Sequence, residues 1–343
     1  MDDIRDLSRW PIIVAPMAGG PSTPELVVAA AQAGALGFLA AGYQTAAAMN
    51  AEIAAVRTAS DAAFGVNVFV PQASTADPAK VAAYVAALEP DARRLQTPAG
   101  QPVWDDDSWD AKIESLLADP PALVSFTFGC PPADVAAAFR DRGTFVAVTV
   151  TSPDEAAAAV GAGANCLCAQ GFEAGAHRGT FANDERPGQD YGLLALIGEI
   201  GQVTEVPVIA AGGIAGPAAV AAVLAAGATA AQLGTAFLRC PQSGARQAHK
   251  DALADPRFTT TAITRAFTGR RARGLVNQFM IDHPGAPPAY PEIHNATRPL
   301  RAAAAAAGDP DRLNLWAGQA FRAACDHAAG EIIERLIPGT KRN

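Results

Sequence analysis

Charge is scarce in this sequence. Asp, Glu, Lys and Arg make up 17% of its 343 residues, where about a quarter is usual. What charge there is runs acidic: 26 basic against 34 acidic side chains, a formal net charge of −8. Binding nucleic acid calls for a basic surface against phosphate, so that class is disfavoured. Cysteine is sparse too. The five, at 130, 166, 168, 240 and 325, are odd in number and form no CxxC pair, which argues against a disulfide framework or a zinc site and for reduced thiols in a cytosolic chain. Residues 1–10 are charged and lack an apolar leader core, so the expected compartment is the cytoplasm. Two stretches, 26–51 and 206–238, carry no charge at all. Length would let them span a membrane. They are built of Ala and Gly rather than Leu and Ile, and the second holds Pro207 and Pro217, so both read as buried strand-turn-helix units and no membrane association is expected.

What is abundant is apolar and small. Half of the residues are hydrophobic and 81 are alanine, enough for a large core and for closely packed helices. Short apolar runs recur at 11–15, 36–40, 64–70, 122–128, 144–150, 164–169, 206–210 and 229–233. Near-continuous apolarity fits parallel strands covered on both faces. Helical stretches follow most of them, as at 132–140, 153–160 and 217–226, each opened by proline. Eight such units in about 240 residues predict an α/β chain folded as a (β/α)₈ TIM barrel. An open doubly wound sheet is the alternative, but no GxGxxG follows the first strand. The chain continues for about 100 residues past the eighth run. The expected division is a barrel over 1–242, a small, mainly helical extra domain over 243–316 inserted after strand eight, and a returning C-terminal helix over 317–343. The Asp105-Asp106-Asp107 run reads as caps for the next helix, with an acidic metal cluster as the alternative.

In a barrel, chemistry sits where strands end. After the first strand stand Ala15, Pro16 and Met17, then Ala18-Gly19-Gly20, small residues that let backbone approach a flat ligand. Asn67 lies inside the apolar third strand and must hydrogen-bond something. After the seventh strand come Gly212 and Gly213; the eighth ends in Gln232, Leu233, Gly234 and Thr235. Two glycine turns on the last two strands form the usual barrel phosphate cradle. The richest segment follows strand six: Gln170, Glu173, Gly175, Ala176, His177 and Arg178 within eleven residues. His177 is the candidate acid/base group. Glu173 and Arg178 are expected to pair with each other or with solvent. His249, His283, His294 and His327 read as surface or tail residues, and Arg265, Arg270, Arg271 and Arg273 as a solvated basic face.

These segments, in this order, resemble the nitronate monooxygenase family, formerly 2-nitropropane dioxygenases. The late Pro299-Leu300-Arg301 and Leu315-Trp316-Ala317-Gly318-Gln319 segments are similar to its bacterial class I branch. The resemblance implies a barrel with non-covalent FMN, contacted by the Ala15-Pro16-Met17 segment, Asn67, Gln170, Gly175, Gly212, Gly213 and Gln232 to Thr235, with His177 as the active-site histidine. It implies oxidative denitrification of alkyl nitronates by O₂, propionate 3-nitronate among them, and a detoxifying role. Where the family often has Gly-Gly-His, this chain has Gly175-Ala176-His177, which requires a negative φ at Ala176. NAD(P)H-dependent quinone or enoyl-ACP reductases of the same fold, or a flavin-binding barrel without turnover, remain alternatives. A homodimer stays open.

Overall fold

The computed structural model describes residues 3–184, 190–337 and 339. Strands β1 (Ile12–Val14), β2 (Leu36–Ala40), β3 (Phe64–Phe69), β4 (Leu123–Thr127), β5 (Phe145–Val150) and β6 (Cys166–Gln170) run in parallel around a barrel. A two-residue strand, β7 (Ala176–His177), leaves it; β8 (Val208–Ala211) and β9 (Ala230–Leu233) complete it. Closure is in register, with Ile13 opposite Leu36 on one side and Gln232 on the other. The helices are α1 (Pro24–Gln32), α2 (Ala46–Ala59), α3 (Pro78–Ala87), α4 (Glu89–Arg94), α5 (Trp109–Ala118), α6 (Ala133–Arg140), α7 (Pro153–Gly161), α8 (Leu193–Ile200) and α9 (Pro217–Ala225). The cap-proline start is explicit at three of them. Thr23, Asp77 and Ser152 each accept a first-turn N–H ahead of Pro24, Pro78 and Pro153, satisfying donors that would otherwise be orphaned.

The core forms two layers. Val14, Val66, Phe126, Val148 and Leu167 face outward under the helices. Ile13, Phe38, Ala147, Cys166 and Ile209 fill the barrel, capped from below by Ile4 and Leu7. A Cβ on Gly65 would sit 2.3 Å from the Phe38 ring, so the glycine makes room for an aromatic inside the barrel.

Past β9 lie α10 (Gln247–Ala254), the hairpin β10 (Thr261–Thr264) and β11 (Ala272–Leu275), α11 (Gln278–Asp282), α12 (Glu292–Ala306) and α13 (Ala329–Leu336). This region is not purely helical. β10 and β11 form an antiparallel sheet that β7 joins, pairing Ala272 with His177 and Arg273 with Ala176. Four-residue strands containing Arg273 and Gly274 carry little apolar periodicity, which is why they are hard to see in sequence. The segment after β3 takes part as well: Val81, Tyr84 and Leu88 pack with Phe267, Phe279, Ile293 and Leu300. The last helix covers only the end of its expected stretch, because 317–328 turns back over the barrel, where Gly318 N donates to Thr235 Oγ1 at 3.0 Å. Residues 338 and 340–343 of that segment lie outside the described residues.

Candidate active site

The candidate cofactor-binding and catalytic residues line one cavity of about 550 Å³: Ala15, Pro16, Met17, Asn67, Gln170, Gly175, His177, Gly212, Gly213, Gln232, Leu233, Gly234 and Thr235, whereas Gly20, Glu173 and Arg178 do not. That volume lies within the range of small-molecule sites. Their side chains divide into builders and presenters. Gln170 is a builder. Its Nε2 donates to His177 O at 2.9 Å, and its Oε1 accepts from Gly179 N at 2.8 Å and Arg178 Nη1 at 3.1 Å. Gly175 is also a builder, since a Cβ there would meet Gly318 N at 2.5 Å. Asn67 turns Nδ2 toward β4, to Ser125 Oγ at 2.8 Å and Thr127 Oγ1 at 3.0 Å, which directs its carbonyl oxygen the other way. Gly212 and Gly213 have φ of +117° and +69°, backbone that side chains rarely adopt. Thr235 accepts from Gly318 N, so its own hydroxyl proton is left to donate.

His177 lines the same cavity as these turns. Its Nε2 lies 2.9 Å from Thr268 Oγ1, and that hydroxyl donates to Arg270 O at 3.2 Å. With the hydroxyl proton so used, the contact is Nε2–H to oxygen, which leaves Nδ1 as the imidazole acceptor. Phe128, Tyr290 and Trp316 pack around the ring at 5.6 to 5.7 Å between centroids. Burial, with the cations of Arg270 and Arg301 nearby, pushes this imidazole down to about 3, so it is neutral at working pH. Cys168 also lines the cavity, but burial pushes its thiol up to about 12, so it is no thiolate nucleophile.

Ala176 does not adopt a negative φ; it sits at +61°. A left-handed alanine costs about 1 kcal/mol, and the pairing of β7 with β11 holds it there. Ala176→Gly should therefore raise stability by about 0.5–1 kcal/mol, an increase of about 1 °C in Tm at this chain length. An unchanged or lowered Tm in a thermal melt would remove the strain argument. The basic face is not solvated: Arg270 and Arg273 are buried. Arg270 lies 3.9 Å over the Phe128 ring, and Arg273 donates to Phe172 O through Nε and Nη2. A guanidinium brings five donors, and loop carbonyls take them up. Glu173 and Arg178 do not pair. Glu173 accepts from Leu193 N at the start of α8, and buried Arg178 donates to Gln170 O and Gly171 O.

Three of the four dismissed histidines are buried as well. His249 contacts Trp316 O, and His283 bonds Asp91. His294 stacks on Tyr43 at 4.0 Å and lines the cavity with Arg246, Arg298 and Arg301. Their local sequence is polar, and the contacts that bury them come from distant segments. The Asp run caps nothing by side chain at the Ser108 start of α5. Instead Asp107, pushed up to about 6 by burial, accepts from Tyr43 N and pairs with buried Lys112 at 2.8 Å. Among the described residues no group of three or more His, Cys, Asp or Glu could hold a metal, and no helix is long and apolar enough to cross a membrane.

Fold and site together define a (β/α)₈-barrel enzyme with glycine turns at its last two strands and a neutral, half-buried histidine in the same cavity. The chain belongs to the nitronate monooxygenase family, whose profile matches residues 3–339. It is 41% identical over 339 residues to the nitronate monooxygenase of Pseudomonas aeruginosa, covering 96% of this chain and 95% of that one. A probable nitronate monooxygenase of Staphylococcus aureus is 36% identical, at 96% and 94% coverage. Among solved structures, a nitroalkane oxidase from Streptomyces ansochromogenes matches at TM-score 0.94 and 49% identity, covering 97% of this chain and 96% of that one. FabK from Thermotoga maritima shares the fold, at TM-score 0.72 and 24% identity over 97% and 94% of the two chains. Family membership makes this an oxidoreductase.

Proposed function

We propose that this chain is an FMN-dependent nitronate monooxygenase in the cytoplasm, which denitrifies alkyl nitronates with O₂ and takes propionate 3-nitronate as a substrate. The observation that carries the reading is the position of His177, neutral, half-buried and held by Thr268, in the same cavity as the glycine turns. Those turns fit a flavin phosphate. Backbone N–H groups at Gly212, Gly213, Gly234 and Thr235 would hold it, together with the Thr235 hydroxyl. The Ala15-Pro16-Met17 segment would bear the ring, and the carbonyl oxygen of Asn67 would accept from it. When bound, the flavin supplies the electron acceptor and the reactivity toward O₂.

The protein's own part is binding and proton handling. A nitronate is anionic, and a neutral imidazole among arginines can sit beside it without repelling it. With a neutral nitroalkane, Nδ1 of His177 would take the α-proton. Burial weakens this base in isolation, but transfer creates an imidazolium beside a nitronate, and their attraction offsets the desolvation of each. The 243–316 segment would act as the domain that covers the substrate, with 1–242 as the barrel and 317–343 as its closing segment.

Two measurements test the assignment. Denatured protein should release FMN; release of FAD, or of no flavin from a fresh preparation, would contradict it. Propionate 3-nitronate should consume O₂ and yield nitrite, and a preparation full of flavin that does neither would overturn the activity.

A further inference from the structure

The cavity is electrostatically one-sided. Its lining includes Arg246, Arg298 and Arg301, with no Asp or Glu among the described residues, in a chain whose net charge is −8. Among the described residues none of the three arginines forms an ion pair with a carboxylate. Arg301 is fixed at one end only: Nε donates to Thr297 Oγ1 at 3.1 Å, and Nη2 donates to His294 Nδ1 at 3.2 Å and His294 O at 3.0 Å. Its Nη1 makes no hydrogen bond among the described residues. Accepting at Nδ1 fixes His294 as the Nε2–H form, so this ring also offers a donor. Arg246 and Arg298 are exposed at the rim, and Arg246 is tied to α12 through Arg301 O at 3.2 Å. Arg301 and His177 lie close enough to influence each other electrostatically, as do Arg301 and both rim arginines. The cluster therefore belongs to the His177 side of the cavity. A partly buried guanidinium with half of its fork unused and no counter-ion is costly unless an anion completes it.

The geometry points to a second anion subsite, formed by Arg301, His294 and Arg298, that takes a carboxylate carried a few carbons from the nitronate on the same substrate. This rests on the reading of the cavity given above and adds to it a basis for selectivity. His177 would handle the nitronate end. Arg301 would meet the far carboxylate with its Nη1 edge, His294 with Nε2–H, and Arg298 and Arg246 would draw dianions to the mouth. A nitronate with a plain alkyl tail leaves those donors without a partner, and a site built for a polar group discriminates strongly against an analogue that lacks it.

The test uses the flavin-loaded enzyme and two probes that are not turned over. Succinate carries two carboxylates at the required separation; butyrate has the same length and one. Calorimetry should show succinate binding at least about tenfold tighter than butyrate, a gap that narrows severalfold or more in Arg298→Met and in Arg301→Lys and widens at low salt. In turnover, the ratio of kcat/KM for propionate 3-nitronate over propyl nitronate should fall by about tenfold in both variants. Arg298 is exposed and makes no side-chain hydrogen bond among the described residues, so Arg298→Met tests the idea even if Arg301→Lys folds poorly. Equal binding of succinate and butyrate to the unaltered enzyme would overturn the subsite. So would loss of FMN from Arg298→Met, which would assign these cations to the cofactor phosphate. A preference for succinate in an enzyme without nitronate turnover would uphold the subsite while removing the activity it was attached to.

Discussion

His177→Asn should retain flavin and fold and lose most activity on nitroalkanes. The loss expected for a general base is about 10²–10⁴ in rate. Activity on preformed nitronates should fall less, because their α-proton is already gone. The fold should survive because the loop is held through the backbone: His177 O accepts from Gln170 Nε2, and residue 177 pairs with Ala272. What the substitution removes is the ring and its contact with Thr268 Oγ1, worth about 1 kcal/mol as a hydrogen bond. Steady-state rates on one nitroalkane and on its nitronate, measured side by side, give the answer. Near-wild-type rates on both would make His177 a structural residue.

Flavin content should collapse in Gly234→Val while stability changes little. A Cβ at residue 234 would lie 3.5 Å from Ala15 Cβ and Met17 Sδ, ordinary contact that the folded chain tolerates. It would nevertheless place a branched side chain on the surface where the proposed flavin phosphate would approach backbone. Gly212→Val should also lose flavin, but it is the less discriminating variant. At φ +117°, with a Cβ 3.0 Å from Ala174 N, it strains the turn whether or not a ligand is bound, at a cost of roughly 1–3 kcal/mol. Absorbance of bound flavin against Tm separates the two effects. Full flavin with a lowered Tm in Gly234→Val would make the glycine a turn and nothing more.

The barrel was legible because parallel strands buried on both faces leave continuous apolar runs. The run at 36–40 coincides with β2, and the others differ from their strands by a residue or two at the ends. The strand-end residues were legible for a related reason: in a closed parallel barrel every strand points its C-terminal end to one face, so reading the residue after each run collects one site. The other wall of that site was not legible. Tyr43, Thr268, Tyr290, His294 and Arg301 come from three segments, after β2, between β10 and β11, and at α12, and only the packing of α12 and the β10–β11 hairpin over the barrel brings them to His177. One signal was available. α12 carries an apolar stripe through Ile293, Ala296, Leu300 and Ala304, and His294 is adjacent to it, so a helical wheel drawn over 292–306 would have moved this histidine from solvent to an interface. The buried arginines resisted sequence reading for a different reason. A guanidinium is buried when carbonyls converge on it, and the carbonyls of 170–172 that hold Arg178 and Arg273 lie at the end of β6 and in the irregular backbone just past it, with no periodicity to read.

The central claim is that electrons enter this enzyme from a nitronate. The most direct measurement mixes the yellow protein, without oxygen, first with propionate 3-nitronate and separately with NADH, following flavin absorbance. Rapid spectral change with the nitronate and little with NADH is the expected result. Rapid bleaching by NADH with no response to nitronate would contradict it and assign the barrel to the NAD(P)H-dependent reductases, and no response to either would leave a flavin-binding protein without this chemistry.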